Sequence, residues 1–427
     1  MKVLLVNPPA ANLDDKYYPL GLGYLCSSLI DGGFEVDVRD LNANPKDSTD
    51  FTKYDAVAIT ATTPQILCAY EVLNEARKAK PNIHTILGGV HASSLPNECL
   101  SKCDCVVVGE GEFMLPKVIH EKRTGIANSE LIKDLDRLSM PNRTLFPLSK
   151  YTIPRTQVYT KSRRFTSVIT SRGCPFDCYY CWNSKFRNPW RGRSPENVNV
   201  ELEEIKSLGI EEVMIEDDQF TLNKVRCIEI CKHLAKHEFC WSLPNGVHIN
   251  TIDEELLRTM KDSGLHHISY GVESGNSDVL RNINGKDNLE RVRAVVDITK
   301  RLGIRMTLLF MIGLKGDNEN TMQQTIDLAK TLNPDNATFS VCVPYPSSIM
   351  YDWVKQSLDG DWNAFAHSHP VKLEWSCADF PSRELCRKYS RKAYREFYLR
   401  PSYVLTHPQN VLSLSPQRLK ALFREIK

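Results

Sequence analysis

The sequence has no apolar run approaching the roughly 20 residues that a membrane-spanning helix requires. Its N-terminal apolar stretch is too short for a signal peptide, and Asn7-Pro8-Pro9 interrupts it. It also has no excess of either charge, because the formal net charge is only +2 over 427 residues. A near-neutral chain gives no electrostatic reason to expect a nucleic acid or an acidic membrane. We therefore expect a cytoplasmic protein with no membrane span and no nucleic-acid partner.

Two further patterns are missing. No Gly-x-Gly-x-x-Gly sequence follows the first apolar run, which argues against a dinucleotide-binding loop. There are 14 cysteines, but without a secretion signal we expect them to be reduced thiols rather than disulfides. The composition, with 42% hydrophobic and 25% charged residues, is that of an ordinary globular protein, and the length suits two or three domains.

The most distinctive stretch is Cys174-Pro-Phe-Asp-Cys178-Tyr-Tyr-Cys181, which holds three thiols within eight residues. Thiolates favour zinc, copper(I) or iron–sulfur clusters, and structural zinc sites usually recruit four ligands, often as two separated pairs. Here no partner pair stands at the usual distance. Three thiolates on a cubane cluster would leave one iron open to a substrate or cofactor. The alternatives are a disulfide with a spare thiol, or buried apolar cysteines. The Gly-Cys-Pro start and the interleaved aromatic residues favour an iron–sulfur site.

Residues 1–125 alternate strand-like and helix-like runs. Five short apolar stretches, each ending in glycine, proline or small polar residues, predict a doubly wound, Rossmann-like parallel α/β sheet with ligands at the carboxyl ends of its strands. Glycines at those ends let a bulky cofactor approach the backbone closely. The strand-end residues that we single out are Asn7, Pro8, Thr60, Thr62, Thr63, Gly88, Gly89, Gly109 and Glu110.

The rest of the chain divides into three parts. Residues 126–160 are punctuated by prolines and predict a connector. Residues 161–355 contain six strand-and-helix units, which predict a partial (β/α)6 barrel with its active site at the carboxyl ends of the strands. Residues 356–427 predict a helical extension that closes the open side of the barrel, walls the substrate pocket or merely packs on the barrel. The barrel strand ends carry Glu216, Asp217, Asp218, Asn245, His248, Glu273, Ser274, Met311, Ile312 and Gly313, and the cysteine loop follows the first strand.

Residues 1–125 resemble the cobalamin-binding domain of many radical S-adenosylmethionine enzymes, in the runs Gly88-Gly89-Val90-His91 and Val108-Gly109-Glu110-Gly111-Glu112. The resemblance implies that the strand-end residues of this segment face cobalamin. In the best-known cobalamin domains a histidine in the loop after the first strand ligates cobalt, and the loop that follows Val6 here contains no histidine. The resemblance then implies an exposed lower face of the corrin. We interpret His91 as a strand-end histidine rather than a cobalt ligand. A domain that keeps the fold without the cofactor is the alternative.

The cysteine motif, Cys-x-x-x-Cys-x-aromatic-Cys, makes residues 1–355 resemble the cobalamin-dependent branch of the radical S-adenosylmethionine superfamily. The resemblance implies a [4Fe–4S] cluster on Cys174, Cys178 and Cys181, with S-adenosylmethionine on the open iron and Tyr180 against the cluster and adenine. The family's Gly-Gly-Glu lacks its glycines here, so the acceptor for the methionine amino group is left open among three carboxylates. The implied contacts are Glu216, Asp217 or Asp218 for the amino group, Glu273 and Ser274 for methionine or ribose, and Met311, Ile312 and Gly313 for adenine. Plain barrel core is the alternative for Met311 and Ile312.

The resemblance implies C-methylation of an unactivated carbon, with a 5′-deoxyadenosyl radical as hydrogen abstractor and methylcobalamin as methyl donor. Ring contraction, cyclisation or another carbon–carbon bond formation is the alternative. A methylthiotransferase is disfavoured because its extra cluster cysteines are missing, and a cobalamin sensor would leave the cysteine loop unexplained. We expect a small-molecule, lipid, sugar or peptide substrate and an external one-electron reductant such as flavodoxin or ferredoxin. A second cluster on Cys227, Cys231 and Cys240 is less favoured than buried structural cysteines.

Overall fold

The computed structural model describes residues 1–9, 16–45, 48–151, 160–186, 189–283, 288–359, 362–365 and 373–408. The chain forms two compact units. The first comprises Met1–Thr152, Tyr345–Ser347 and Gly360–Ala366, and the second comprises Ile153–Pro344, Ser348–Asp359 and His367–Lys427. Residues 152–159 of the predicted connector and 409–427 of the predicted extension lie outside the described residues. Within the described ranges, no helix is both long and apolar enough to cross a bilayer.

The first unit is built from short buried strands that alternate with helices. Its elements are β1 (Lys2–Asn7), α1 (Leu20–Asp31), β2 (Glu35–Asp40), β3 (Ala56–Thr60), α2 (Ile66–Ala79), β4 (His84–Gly88), α3 (Val90–Ser94), α4 (Pro96–Leu100), β5 (Cys105–Val108), α5 (Leu115–His120) and β6 (Gly125–Asn128), with 3-10 turns at Phe51–Lys53, Thr63–Gln65, Leu135–Arg137, Leu148–Lys150 and Trp362–Phe365. All strands are parallel, in the order β2-β1-β3-β4-β5-β6. The predicted doubly wound sheet is confirmed.

One strand of this sheet was missed by the sequence analysis. The apolar runs predict five strands, but β6 adds a sixth at the sheet edge, at the start of the segment expected to be a connector. Its four residues, Gly-Ile-Ala-Asn, include one that is fully buried, so it carries no long apolar run. The remainder of this segment, up to Thr152, belongs to the same compact unit as the sheet.

The second unit repeats the alternation on a larger scale. Its elements are β7 (Phe165–Val168), β8 (Ser171–Arg172), α6 (Asn183–Phe186), β9 (Arg191–Gly192), α7 (Pro195–Ser207), β10 (Glu212–Ile215), α8 (Lys224–Lys236), β11 (Cys240–His248), α9 (Glu254–Asp262), β12 (Leu265–Glu273), α10 (Ser277–Arg281), α11 (Leu289–Arg301), β13 (Arg305–Ile312), α12 (Glu319–Leu332), β14 (Asn336–Val341), α13 (Ile349–Val354), α14 (Arg383–Tyr398) and α15 (Pro401–Thr406), with 3-10 turns at Phe220–Leu222 and Ile249–Thr251.

Six parallel strands form the sheet of this unit, in the order β14-β13-β12-β11-β10-β7. The predicted six-unit parallel series is confirmed. β8 and β9 form a separate two-stranded antiparallel ribbon, and the cysteine loop follows β8. Because the strands are parallel and consecutive, the segments that follow them all emerge at one end of the sheet.

The helical extension closes the free edge of β14. Tyr398 Oη accepts from Ala337 N at 3.1 Å and donates to Ala337 O at 2.8 Å. Farther along the same strand, Phe339 N donates to Tyr394 Oη at 3.3 Å, and Ser390 Oγ donates to Phe339 O at 3.0 Å. These bonds satisfy main-chain groups that an uncovered edge strand would leave unpaired. Tyr394 and Tyr398 therefore cover the edge of the sheet with their hydroxyl groups.

Candidate active site

The three cysteines of the motif lie on one loop at the carboxyl end of the six-stranded sheet of the second unit. Cys178 is buried, and Cys174 and Cys181 are half-buried. Cys181 N donates to Cys178 O at 2.8 Å, and Asn183 N donates to Cys181 Sγ at 3.4 Å. Burial, with smaller contributions from Cys178 and Cys174, raises the pKa of the Cys181 thiol to about 12. A thiol in this setting keeps its proton until a metal replaces it.

The donor set fits a cluster better than a single metal ion. Within the described parts of the chain, no three His, Cys, Asp or Glu side chains are grouped to hold one metal ion. In a cubane cluster each thiolate binds a different iron, so the three sulfur atoms need not converge on a common point. Three soft thiol ligands on one short loop are the chemistry that such a cluster takes.

Aromatic contacts hold the loop in place. The Phe176 ring stacks on the His248 ring with centroids 3.9 Å apart and planes 12° apart. Tyr179 is buried, and its Oη accepts from Lys315 N at 2.8 Å while its carbonyl accepts from Met350 N at 2.9 Å. The loop thus contacts the end of β11, the segment after β13 and the start of α13. The aromatic residues of the motif act as anchors between the ligands.

The three consecutive carboxylates after β10 have different contacts. Asp217 is fully engaged, since it accepts from Thr170 N, Thr170 Oγ1 and Ser171 Oγ, each at 2.6 Å. Asp218 Oδ2 accepts from Gly173 N at 3.3 Å, just before the first cysteine. These two residues position the chain that enters the cysteine loop.

Glu216 is the remaining carboxylate of the three. It accepts from Ser167 Oγ at 3.2 Å, and its backbone carbonyl accepts from Asn245 Nδ2 at 2.9 Å. Burial raises the pKa of Glu216 to about 7, although the hydrogen bond from Ser167 lowers it. A half-buried carboxyl with a raised pKa next to the cysteine loop is well suited to meet a cationic group.

Tyr180 and Glu273 lie close together. Burial raises the pKa of the Tyr180 hydroxyl well above its usual value, and the neighbouring Glu273 carboxylate raises it further. Glu273 is the last residue of β12 and has φ of 68°, in the left-handed region that non-glycine residues seldom occupy. A strained residue held at the carboxyl end of a barrel strand indicates a functional constraint. The structure therefore brings these two predicted site residues together.

The other residues predicted to contact S-adenosylmethionine have ordinary packing and hydrogen bonds. Ser274 is fully buried, and its Oγ lies 3.3 Å from Thr325 Oγ1 and accepts from Asn276 N at 3.2 Å. Ile312 is buried in β13, whereas Met311 is partly exposed. Gly313 has φ of 85°, and its N–H donates to Asp317 Oδ2 at 3.0 Å.

A bulge in β12 puts two histidines inside the sheet, which sequence reasoning missed. The pairing of β11 with β12 shifts between Trp241 and Ser242, so that β12 has one extra residue there. His266 Nε2 lies 2.7 Å from Glu212 Oε1, and His267 Nε2 lies 2.9 Å from Thr307 Oγ1. Burial holds the pKa of His267 well below its usual value, so this imidazole is neutral. The adjacent His-His pair in a strand is the signal that could have indicated a bulge.

At the carboxyl edge of the first unit, an amide connects the predicted cofactor-facing loops. Gln65 Nε2 donates to Pro8 O at 2.7 Å and to Asn7 Oδ1 at 3.2 Å. Its Oε1 accepts from Thr62 Oγ1 at 2.7 Å and Thr62 N at 3.1 Å. Asn7 Nδ2 in turn donates to Asp40 Oδ1 at 2.9 Å. Gln65 thus joins the ends of β1 and β3 by hydrogen bonds. In the sequence, the only hint of this role is that a polar residue stands at the start of a helix.

The glycines of this edge allow close main-chain approach. Gly89 has φ of 90°, and a Cβ there would lie 2.7 Å from Thr60 Oγ1. Gly109 also has φ of 90°, whereas Gly88 has ordinary room, with Val107 O at 3.7 Å. Strand ends with so few side chains fit a large cofactor such as cobalamin. Glu110 is set apart, because its Oε2 accepts from Ile132 N at 2.9 Å and it lines a separate cleft of about 930 Å³.

His91 is enclosed rather than presented to a ligand. It lies in α3, three residues after the last residue of β4 and not at the strand end, because Gly89 turns the chain into a helix. It is fully buried, and its Nδ1 is 3.1 Å from Thr63 Oγ1. The Trp362 ring packs edge-on against it, with centroids 4.9 Å apart. These contacts agree with the interpretation of His91 as a structural histidine, and they also engage Thr63.

The three cysteines considered for a second cluster lie in the surroundings of structural cysteines. Cys227 and Cys231 are buried on α8, while Cys240 is half-buried at the start of β11. Burial raises the pKa of Cys227 and of Cys240. A second cluster on these residues stays without support.

Comparison with known proteins assigns both halves of the chain. Residues 168–329 match the model of the radical SAM superfamily, and residues 7–119 match the model of the B12 binding domain. An uncharacterized methyltransferase of Pyrococcus horikoshii is 31% identical over 446 aligned residues, covering 95% of this chain and 94% of that protein. An anaerobic magnesium-protoporphyrin IX monomethyl ester cyclase of Rubrivivax gelatinosus is 28% identical, covering 82% of this chain and 69% of that protein.

A solved structure shares the fold. The radical S-adenosylmethionine methyltransferase TsrM of Kitasatospora setae, with tryptophan and an S-adenosylmethionine analogue bound, superposes with a TM-score of 0.70 at 18% identity. The superposition covers 94% of this chain and 90% of that chain. Matches of this extent to relatives and family models settle the family of the chain.

Proposed function

Because the chain belongs to the cobalamin-dependent radical S-adenosylmethionine enzymes, we propose that it is a C-methyltransferase acting on an unactivated carbon. When bound, the cluster, S-adenosylmethionine and methylcobalamin supply the hydrogen-abstracting radical and the methyl group. The observation that carries the proposal is the combination, in one chain, of a three-cysteine loop at the carboxyl end of a parallel barrel sheet with a B12 binding domain. The near full-length similarity to a protein named as a methyltransferase supports methyl transfer.

The chain's own residues have two tasks at the cluster loop. Cys174, Cys178 and Cys181 would hold the cluster, and the stacked Phe176 and the buried Tyr179 keep the loop rigid between them. Asp217 fixes the approach to the loop by accepting three hydrogen bonds from Thr170 and Ser171. A rigid loop holds ligands at fixed separations, which a cluster with one open iron requires.

Next to the loop, Glu216 and Tyr180 are assigned to S-adenosylmethionine. Because the pKa of Glu216 is about 7, its carboxyl is only partly ionised near neutral pH, and an amino group bound there would favour the ionised form, which accepts a hydrogen bond from it. Tyr180 and Glu273 lie beside each other near Cys178 and Cys181. We assign the amino group to Glu216 rather than to Asp217, whose hydrogen-bonding capacity is used within the fold.

A cyclisation or other carbon–carbon bond formation is the second candidate. The specific observation in its favour is the similarity to the magnesium-protoporphyrin ester cyclase over most of this chain. Ring contraction belongs to the same alternative. The two reactions differ in whether a methyl group of S-adenosylmethionine leaves with the product.

The test is anaerobic reconstitution of the full chain with iron, sulfide and hydroxocobalamin, followed by iron and corrinoid analysis. With a low-potential reductant and methyl-deuterated S-adenosylmethionine, we expect 5′-deoxyadenosine and transfer of the labelled methyl group to bound corrinoid. Cys178→Ala should lose the cluster and 5′-deoxyadenosine formation. Cys240→Ala, a half-buried cysteine of the same unit, is the matched control and should keep both.

The outcomes separate the candidates. Full 5′-deoxyadenosine formation by Cys178→Ala would contradict the radical reaction itself. Four irons per chain without corrinoid would favour the alternative over methylation.

A further inference from the structure

Arg383 is a buried guanidinium that forms no ion pair with any carboxylate of the described residues. It is the first residue of α14 and only 2% exposed. One nitrogen, Nη1, donates to Cys342 O at 2.9 Å, whereas Nε and Nη2 have no acceptor among the described residues. The neighbouring carboxylate, Glu374, accepts from Arg387 Nη1 at 2.7 Å instead. Arginine stays charged even when buried, so this cation keeps unused donors.

A second unused donor lies beside it. The Trp375 ring centroid is 5.4 Å from the Arg383 guanidinium carbon, and Trp375 is 6% exposed. Its indole Nε1 is buried and has no acceptor within the described residues. Since indole and guanidinium N–H groups can only donate, this group contains donors and no acceptor. Its chemical complement is an anionic oxygen group.

The N-terminus of α14 adds to the positive potential. The helix has 16 residues, and Ser382 caps it by accepting from Leu385 N. Aligned peptide dipoles make this end of a helix favourable for anions. The helix end alone would carry no argument, but here the buried side chains of Arg383 and Trp375 provide unused donors at the same place.

The site lies at the functional end of the barrel sheet. Cys342, whose carbonyl binds Arg383, directly follows β14, and Cys342 N donates to Ile312 O at 2.8 Å at the end of β13. Phe380 links it to the cysteine loop, with its ring centroid 5.2 Å from Trp375 and 6.3 Å from Tyr179. A group bound here lies at the same strand ends as the cysteine motif.

Leaving a buried charge and three donor nitrogens unsatisfied is unfavourable for folding, and native proteins seldom do so without a functional reason. We propose that Arg383 Nε and Nη2, Trp375 Nε1 and the first turn of α14 bind an anionic oxygen group of the substrate. The group is a carboxylate or a phosphoryl group, whose oxygens can accept from several donors at once. This inference rests on the proposed function, since it names the class of substrate that the radical site acts on.

The binding test uses the anaerobically reconstituted full chain with inorganic phosphate and acetate as separate probes. Saturable binding is followed from the NMR linewidths of phosphate phosphorus and of carbon-13-labelled acetate. We expect Trp375→Phe, which keeps the ring and removes the donor, to weaken binding about tenfold, and Arg383→Gln about a hundredfold. Arg387→Gln is the matched control, because that arginine pairs with Glu374 at the surface, and it should bind like the unaltered chain. The tighter of the two probes identifies the class of anion.

Three results would overturn the inference. Equal binding in all variants would indicate adventitious surface sites, and equal loss in Arg387→Gln would indicate a general charge effect. Anion binding that appears only when S-adenosylmethionine is absent would assign the donors to that cofactor.

A stability measurement adds an independent readout. If Arg383 is retained for binding, Arg383→Met removes an unpaired buried charge and should raise the melting temperature. A lower melting temperature would mean that the arginine serves the fold. Corrinoid content and 5′-deoxyadenosine formation by the unaltered chain test the proposed function separately. If these fail while Arg383-dependent anion binding persists, the anion site stands and the radical methyl transfer does not.

Discussion

Glu216, Asp217 and Asp218 are adjacent carboxylates whose surroundings give them different roles. Asp217 accepts hydrogen bonds from Thr170 and Ser171, so it holds the segment after β7 against the segment after β10. Glu216 is half-buried and has Ser167 and Asn245 beside its carboxyl, and burial of the carboxyl outweighs these donors, so that it resists ionisation. Sequence position alone does not separate these roles, since all three follow the same strand.

Glu216 makes stability depend on pH in an unusual direction. Its pKa is about 7 in the folded chain against 4.5 for an ordinary glutamic acid, so the folded state holds the proton more tightly. The contribution to stability is complete below pH 4.5 and is lost as the pH rises through 7. The difference between the two pKa values corresponds to roughly 3 kcal/mol.

We predict that Glu216→Gln removes this dependence. In the cofactor-free protein, the variant should have about the stability of the unaltered chain at pH 4 and exceed it by roughly 1–3 kcal/mol at pH 8. Urea unfolding at both pH values measures this. Glu211→Gln is the control, because Glu211 is exposed, and it should change stability by less than about 0.5 kcal/mol. A Glu216→Gln variant with the same pH slope as the unaltered chain would refute the assignment.

Among the helices, α14 connects the helical extension to the ends of β13 and β14. Gly313, which follows β13, has φ of 85°, and a Cβ there would lie 2.5 Å from Cys386 Sγ on α14. The close approach explains why the chain has a glycine at this point. The same helix presents Arg383 at its first residue and Tyr398 at its last.

We predict that Gly313→Ala destabilises the chain by about 3 kcal/mol or more, because strain in φ and overpacking add. Gly303 is a matched control, since its φ is 65° but no atom lies within 4 Å of a Cβ placed there. Gly303→Ala should therefore cost only about 1 kcal/mol. Adding Cys386→Ala to Gly313→Ala should restore part of the loss in a double-mutant cycle of urea unfolding. If the two changes are simply additive, the contact with Cys386 is not the cause.

For the whole molecule, the alternation of apolar strands with helices was enough to predict two parallel sheets and the place of the cysteine loop. β6 was missed because a short edge strand with one fully buried residue has no apolar run to recognise. The roles of Gln65 and Arg383 could not be predicted, because they arise from contacts between segments far apart in sequence. The two histidines of β12 required knowledge of a bulge, which depends on how two strands pair rather than on either sequence alone.

The first unit is completed by residues that come late in the chain. Trp362 donates from Nε1 to Glu98 Oε1 at 2.8 Å and packs against His91. We predict that Trp362→Ala destabilises this unit by about 3 kcal/mol, in the range of large-to-small changes at packed aromatic residues. Hydrogen exchange, resolved by peptide, should show faster exchange in α3, α4 and the start of α2. Trp353→Ala, which alters the second unit, is the control, and faster exchange of the first unit in that variant would contradict a local effect.

This order of segments has a consequence for synthesis on the ribosome. The first unit is translated up to Thr152, but Trp362 emerges only after all strands of the barrel sheet have been made. While the second unit is being translated, the nascent first unit therefore lacks Trp362, and His91 is not yet covered by its indole ring. Maturation of the two units is coupled in time, and no single cut in the chain yields both of them whole.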